Sequence, residues 1–143
     1  MVCLAQIPSR QGGLRVFENI GTAYPLHSGA TAKAVLAFLP EDQLSTVVAG
    51  DITPLNPASK TSREALRKHL AEIRKSGYAV TREETYPGVI GVAVPILTAR
   101  RQPLGSIAVA APLQRMQERK VADHARRLLK LNSRIARRLG GSL

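Results

Sequence analysis

The chain has 143 residues, a formal net charge of +11 and only 3% aromatic residues. This length fits one domain with its own core, which must be built from Val, Leu, Ile and Ala. No apolar run approaches the roughly 20 residues that span a bilayer, the N-terminus lacks the pattern of a secretory signal, and one cysteine excludes an internal disulfide framework. These features predict a cytoplasmic protein that crosses no membrane.

The N-terminal part of the chain predicts a strand pair followed by a helix. Two β-prone runs flank a turn at Ser9–Gly13: Val2–Ile7 and Leu14–Ile20. A run of small residues then predicts a helix that begins at Ser28 or Gly29 and extends to about Leu39, because Pro40 cannot continue it.

Two further helices are predicted in the middle of the chain. A short helical turn is predicted over Glu41–Val48, and Ile52–Ser59 reads as a loop because it contains two prolines and no clear period. Thr61 and Glu64 have the spacing of a capping box, which predicts a helix after Thr61. Its buried stripe is formed by three apolar residues: Leu66, Leu70 and Ile73.

A β-hairpin is predicted after this helix. Gly77 suits the left-handed C-cap of the helix, and Tyr78–Val80 is a short β-prone run before a polar loop at Thr81–Glu84. Val89–Leu97 is almost wholly apolar and β-branched, and Ile107–Ala111 is its predicted antiparallel partner. Antiparallel strands interleaved with helices indicate an α+β domain.

The C-terminal segment predicts a long amphipathic helix. From Pro112 to Leu143 there are nine basic and two acidic residues. At 100° per residue, one apolar stripe comprises Val121, Ala125, Leu128, Leu131, Ile135 and Leu139. The opposite side is a basic stripe that comprises Arg119, Arg126, Lys130, Arg134 and Arg137. A solvated basic face is the favoured interpretation, and contact with nucleic acid is the alternative.

Motifs of catalysis and metal binding are missing from the sequence. His27, His69, His124 and Cys3 lie far apart, so no metal-ligand spacing appears, and no nucleophile motif or phosphate-binding loop is present. Glu83 and Glu84 are interpreted as loop charges, because adjacent residues of an extended segment point to opposite sides. The sequence therefore predicts a protein that is not an enzyme and that needs no metal or cofactor.

The predicted start of the first helix is a candidate anion site. The backbone N–H groups of Gly29, Ala30 and Thr31 would be unpaired there, and the positive end of the helix dipole favours a carboxylate. The simpler alternative is that the Ser28 side chain caps the helix.

Two blocks of sequence resemble the effector-binding domain of IclR-type bacterial transcriptional regulators. The first block is Gly77-Tyr78-Ala79 with Glu83-Glu84, followed by Gly88-Val89 and Ala93-x-Pro95, and then a strand that ends Ala110-Ala111-Pro112. The second is Gly21 followed by the segment Pro25–Pro40, PLHSGATAKAVLAFLP. In this order and spacing the resemblance covers essentially the whole chain.

The resemblance implies a GAF-like antiparallel sheet flanked by helices, and an effector pocket at the start of the first helix. By the resemblance, the pocket is completed by Thr81, Val89, Gly91, Ala108 and Ala110, and this small, apolar set favours a bulkier or aromatic organic acid. It also implies a homodimer or homotetramer. DNA would be bound through a winged helix-turn-helix domain, which is expected to lie outside residues 1–143 together with the first elements of the effector domain. The alternative function is a small basic nucleic-acid-binding protein that acts through its C-terminal helix.

Overall fold

The structure, a computed structural model, describes residues 1–10, 16 and 18–139. In chain order its elements are α1 (Ala30–Leu36), α2 (Glu41–Ala49), α3 (Arg63–Ser76), β1 (Ala79–Arg82), β2 (Val89–Leu97), β3 (Pro103–Pro112), a 3₁₀ turn (Leu113–Arg115) and α4 (Glu118–Arg138). Within these ranges, no helix has the combination of length and apolar composition that a membrane-spanning segment requires.

The three strands form an antiparallel sheet in the order β1-β2-β3. Because side chains alternate along a strand, each face of the sheet receives one set. Ala79 and Ala93 lie in one buried cluster with α1, α2 and α3. Val92 and Val94 lie in a second cluster with α4. The domain therefore has three layers, with the sheet between the α1–α3 layer and α4.

Each helical layer contributes fully buried aliphatic residues, as the scarcity of aromatic residues requires. The α1–α3 layer contributes Leu36, Leu66, Leu70 and Ile73, which are at most 2% exposed. The predicted buried stripe of α3 is thereby confirmed. On the other face, Val121 and Leu128 of α4 pack against the sheet.

The predicted hairpin is confirmed, with β2 at its predicted bounds and β3 longer than predicted. Gly77 ends α3 in the left-handed conformation (φ 81°) and donates its N–H to the Ile73 carbonyl, as predicted. Strand β3 forms one edge of the sheet and contains no charged residue. Within the described residues, its outer side pairs with no other strand.

The N-terminal strand predicted over Val2–Ile7 is wrong. Val2 forms an isolated bridge with Ala23, and in the described part of the chain the backbone pairing extends no further than Cys3. After Cys3, the Gln6 side chain takes the place of backbone pairing. Its Nε2 donates to the Val16 carbonyl, and its Oε1 accepts from the Glu18 N–H. The predicted turn and second strand fall largely on residues 11–15 and 17, outside the described residues.

Four other boundaries differ from the predictions. Helix α1 ends at Leu36 and is shorter than predicted, whereas the predicted turn at 41–48 is the regular helix α2. Ser62, and not Thr61, is the N-cap of α3, since its hydroxyl accepts from the Ala65 N–H. Thr81 lies in β1 rather than in a loop, because it pairs with Gly91.

The apolar stripe predicted for α4 is partly wrong. Leu131 is 44% exposed and Leu139 is 60% exposed. The inward position is taken instead by Asn132, whose side-chain amide donates to the Pro95 carbonyl at 2.7 Å. Leu131 therefore lies on the flank of the helix, and the buried side continues through Ala136.

Candidate functional site

The start of α1 lies directly on the sheet and on the loop between β1 and β2. A Cβ atom added to Gly91 would lie 3.2 Å from the Ala30 Cβ, so the missing side chain lets α1 approach β2 closely. Gly29 has a φ of +84°, and a Cβ atom there would lie 2.7 Å from the Thr85 hydroxyl oxygen. Both glycines are needed for this close packing.

The structure places the five predicted pocket residues of the strands on one face of the sheet, the face that α1 covers. Thr81 pairs with Gly91, which pairs with Ala110, and the row is extended on either side by Val89 and Ala108. Thr81 is buried and Val89 is half-buried, whereas Ala108 and Ala110 are exposed. Beside α1 the sheet therefore presents an open surface of small residues.

The backbone donors at the start of α1 are partly engaged. The Gly29 N–H donates to Glu84 Oε2 at 3.1 Å. Within the described residues, the N–H groups of Ala30 and Thr31 have no acceptor. Ser28 does not cap the helix, since its hydroxyl donates to the Glu84 carbonyl at 3.2 Å. The capping alternative is therefore wrong.

Glu84 lies in the loop after β1, as interpreted, but it is a half-buried carboxylate that forms an ion pair and not a solvated charge. Its Oε1 lies 2.7 Å from the Nζ of Lys33, whose side chain is only 5% exposed, while the Glu84 side chain is 20% exposed. Lys33 Nζ also lies 3.4 Å from His69 Nδ1. We call Lys33, His69 and Glu84 the buried ionic cluster.

The sequence contained one signal for this cluster. Lys33 interrupts a run of small and apolar residues, and its position within that buried run demands an acidic partner. The neighbouring Glu83 behaves differently. It is exposed, it has a φ of 56°, and its carboxylate accepts from the Gly88 N–H at 2.7 Å, which closes the loop locally.

The buried ionic cluster predicts a pH dependence of stability. Burial, and then the nearby Lys33 ammonium, lower the pKa of His69 below its usual 6.5. A lowered pKa in the folded state means that the unfolded chain binds the proton more readily. We expect the free energy of unfolding to fall as the pH drops through and below 6.5, and we expect His69→Gln to remove part of this slope in urea titrations between pH 5 and 8. An unchanged slope would contradict the assignment.

Two cavities lie away from the row of small strand residues. A small one of about 30 Å³ adjoins the buried ionic cluster and is lined by His27, Ser28, Lys33, Pro54, Ser59, Lys60, Thr61 and Glu84. A wider groove of about 300 Å³ is lined by Leu97, Thr98, Ala99, Arg100, Gln102, Leu104 and Leu139. Across the described ranges, no three His, Cys, Asp or Glu side chains are placed to hold a metal ion.

The fold is that of the effector-type domains found in bacterial transcriptional regulators. It superimposes on Thermotoga maritima IclR with a TM-score of 0.84 and 29% identity, over 91% of this chain and 53% of that one. It also superimposes on the inducer-binding domain of PobR from Acinetobacter, solved as a double mutant with 3-hydroxybenzoic acid (TM-score 0.74, 25% identity, 90% and 76% of the two chains).

The chain belongs to the family of IclR C-terminal domains of bacterial transcriptional regulators, whose model matches residues 1–137. It is 31% identical over 125 residues to the HTH-type transcriptional regulator XynR of Escherichia coli K12. That match covers 87% of this chain and 50% of XynR, so the chain spans about half the length of this relative. The predicted family and the α+β fold class with a long C-terminal helix are confirmed.

Proposed function

We propose that the chain is the small-molecule sensing domain of a cytoplasmic IclR-type transcriptional regulator. An organic or aromatic acid binds at the start of α1 and controls DNA binding by a winged-helix domain outside this chain. The observation that carries the proposal is the pair of backbone N–H groups at Ala30 and Thr31, which lack an acceptor among the described residues and adjoin the row of small strand residues.

The proposed ligand places its carboxylate at the Ala30 and Thr31 N–H groups. The Gly29 N–H already donates to Glu84, so the number of available backbone donors falls from three to two. The body of the ligand lies along Val89, Ala108 and Ala110, where the side chains are small and partly or fully exposed.

Thr81 is the one buried polar residue of the proposed pocket. Its hydroxyl oxygen would lie 3.5 Å from a Cβ atom on Gly91, so the missing side chain of Gly91 leaves the hydroxyl uncovered by that residue. A hydroxyl or a second polar group on the ligand would be recognised there. The 3-hydroxybenzoic acid in the PobR structure, an aromatic acid with a hydroxyl group, supports a ligand of this class.

The relatives favour this function over the alternative of a small basic nucleic-acid-binding protein. They are regulators about twice as long as this chain, and the match covers the sensing half. We include in the proposal that the regulator forms a homodimer or homotetramer, and that it has no catalytic step.

A thermal-shift experiment tests the proposal. In a panel of organic and aromatic acids, a ligand present at 100 times its dissociation constant should stabilise the chain by about 2.7 kcal/mol. Ala108→Phe should cover the proposed ligand surface and abolish the ligand-induced shift in melting temperature. Ala30→Pro should remove one donor at a helix position that tolerates proline, and should therefore weaken acids more than their matched amides.

The matched control for Ala108→Phe is Ala71→Phe, which enlarges an exposed alanine of α3 on the outer layer. This variant should keep the full ligand-induced shift. The absence of a shift with every acid, or equal binding of acids and amides by the unchanged chain, would refute the proposal.

A further inference from the structure

Helix α4 carries a row of cations that the fold leaves in solvent. The basic stripe of α4 consists of Arg119, Arg126, Lys130, Arg134 and Arg137, and all five are exposed. At 1.5 Å per residue, the stripe is about 27 Å long. Its opposite side is fixed, because Val121, Ala125 and Leu128 are buried against the sheet.

The stripe is largely without neutralising acids. Both acidic residues of α4 are already engaged, Glu118 with Arg82 and Asp123 with Arg127 at 2.8 Å. Among the described residues, the single carboxylate within 4 Å of the stripe is that of Asp123, at 3.5 Å from Arg126. Four aligned cations therefore remain without an ion-pair partner in the described part of the chain.

We infer that the basic stripe binds the phosphate backbone of double-stranded DNA without reading its sequence. The length of the stripe corresponds to about eight steps of 3.4 Å axial rise along a DNA strand, so several of its cations can each lie near a phosphate of the helical backbone. This contact would be separate from sequence recognition by a winged helix, and it would hold the sensing domain against the duplex beside the operator.

An anionic membrane is the competing partner for a basic helix, and the structure disfavours it. Helices that bind membranes insert an apolar face into the lipid, usually with aromatic residues. The apolar face of α4 is used by the sheet, and no aromatic residue occurs in the helix.

The test measures the salt dependence of binding to a fluorescent 24-base-pair duplex of arbitrary sequence. Each phosphate contact contributes about −0.9 to the slope of log K against log salt concentration. Four to five contacts give an expected slope of about −4. Lys130→Gln together with Arg134→Gln removes two of them, so the slope should become shallower by about 2.

The control is the double variant Lys60→Gln and Lys68→Gln, which removes two exposed charges, one just before α3 and one within it, on the other side of the sheet. It should leave the slope unchanged if the stripe is the binding surface. Equal slope changes in both double variants would overturn the inference, because they would show an effect of net charge alone. Tighter binding to phosphatidylserine vesicles than to DNA at equal anion concentration would also overturn it. Either of these two results leaves the proposed sensing function intact, since the DNA-binding experiment contains no effector.

Discussion

Replacing Glu84 by alanine is expected to lower the free energy of unfolding by about 3 kcal/mol, since it leaves a buried ammonium without its counter-ion. The Lys33 side chain is only 5% exposed, and it loses its carboxylate partner at 2.7 Å. The Gly29 N–H loses its acceptor in the same variant. Urea denaturation followed by circular dichroism measures the effect.

Two comparisons show whether the loss comes from the buried charge. Lys33→Met combined with Glu84→Gln removes both charges, so the double variant should cost less than the sum of its two single variants. The exposed ion pair of Glu41 and Arg67 is the matched control, and Glu41→Ala should change stability little. Additive effects at Lys33 and Glu84 would contradict a coupled pair.

Val92→Asp is expected to unfold the domain or to cost more than about 4 kcal/mol. Val92 is fully buried on the α4 side of the sheet, and an aspartate there would have no cation within the cluster. Ala93→Asp should be comparably severe, because Ala93 is fully buried on the opposite face. Thermal melting of the two variants measures the loss.

Ala108→Asp is the control for both variants. Ala108 pairs with Ala93 across β2 and β3 but is exposed, so its replacement should leave the melting temperature nearly unchanged. Val92→Thr, which keeps the shape and adds a hydroxyl, should give an intermediate loss and remain folded. A mild effect of Val92→Asp would remove this residue from the core.

Local signals in the sequence were sufficient for the hairpin and for the end of α3. Val89–Leu97 is a continuous apolar, β-branched run, which is how a strand covered on both faces appears in a sequence. Gly77 follows a complete helical period and can adopt a left-handed conformation at little cost. Each of these features depends on residues close together in the chain.

Long-range contacts explain what the sequence could not predict. Glu84 meets Lys33 only because β1 and its following loop are brought against α1, 51 residues away in the chain. In the same way, Asn132 turns inward because the Pro95 carbonyl accepts its hydrogen bond, and this displaces Leu131 from the predicted stripe. The residues of the candidate pocket were predicted from the family resemblance alone. That its strand residues share one face of the sheet follows from the strand register, which depends on pairing between distant segments.

The uncharged edge strand β3 has a practical consequence for handling the protein. Edge strands are normally protected by a lysine, an inward-pointing charge or a bulge, since an open row of backbone donors and acceptors recruits other strands. In β3, proline stands only at the two ends, and the eight residues between them are uncharged. Concentrated solutions of the isolated chain should therefore favour strand-to-strand association, and a lysine at position 110 would protect the edge at the expense of the proposed ligand surface.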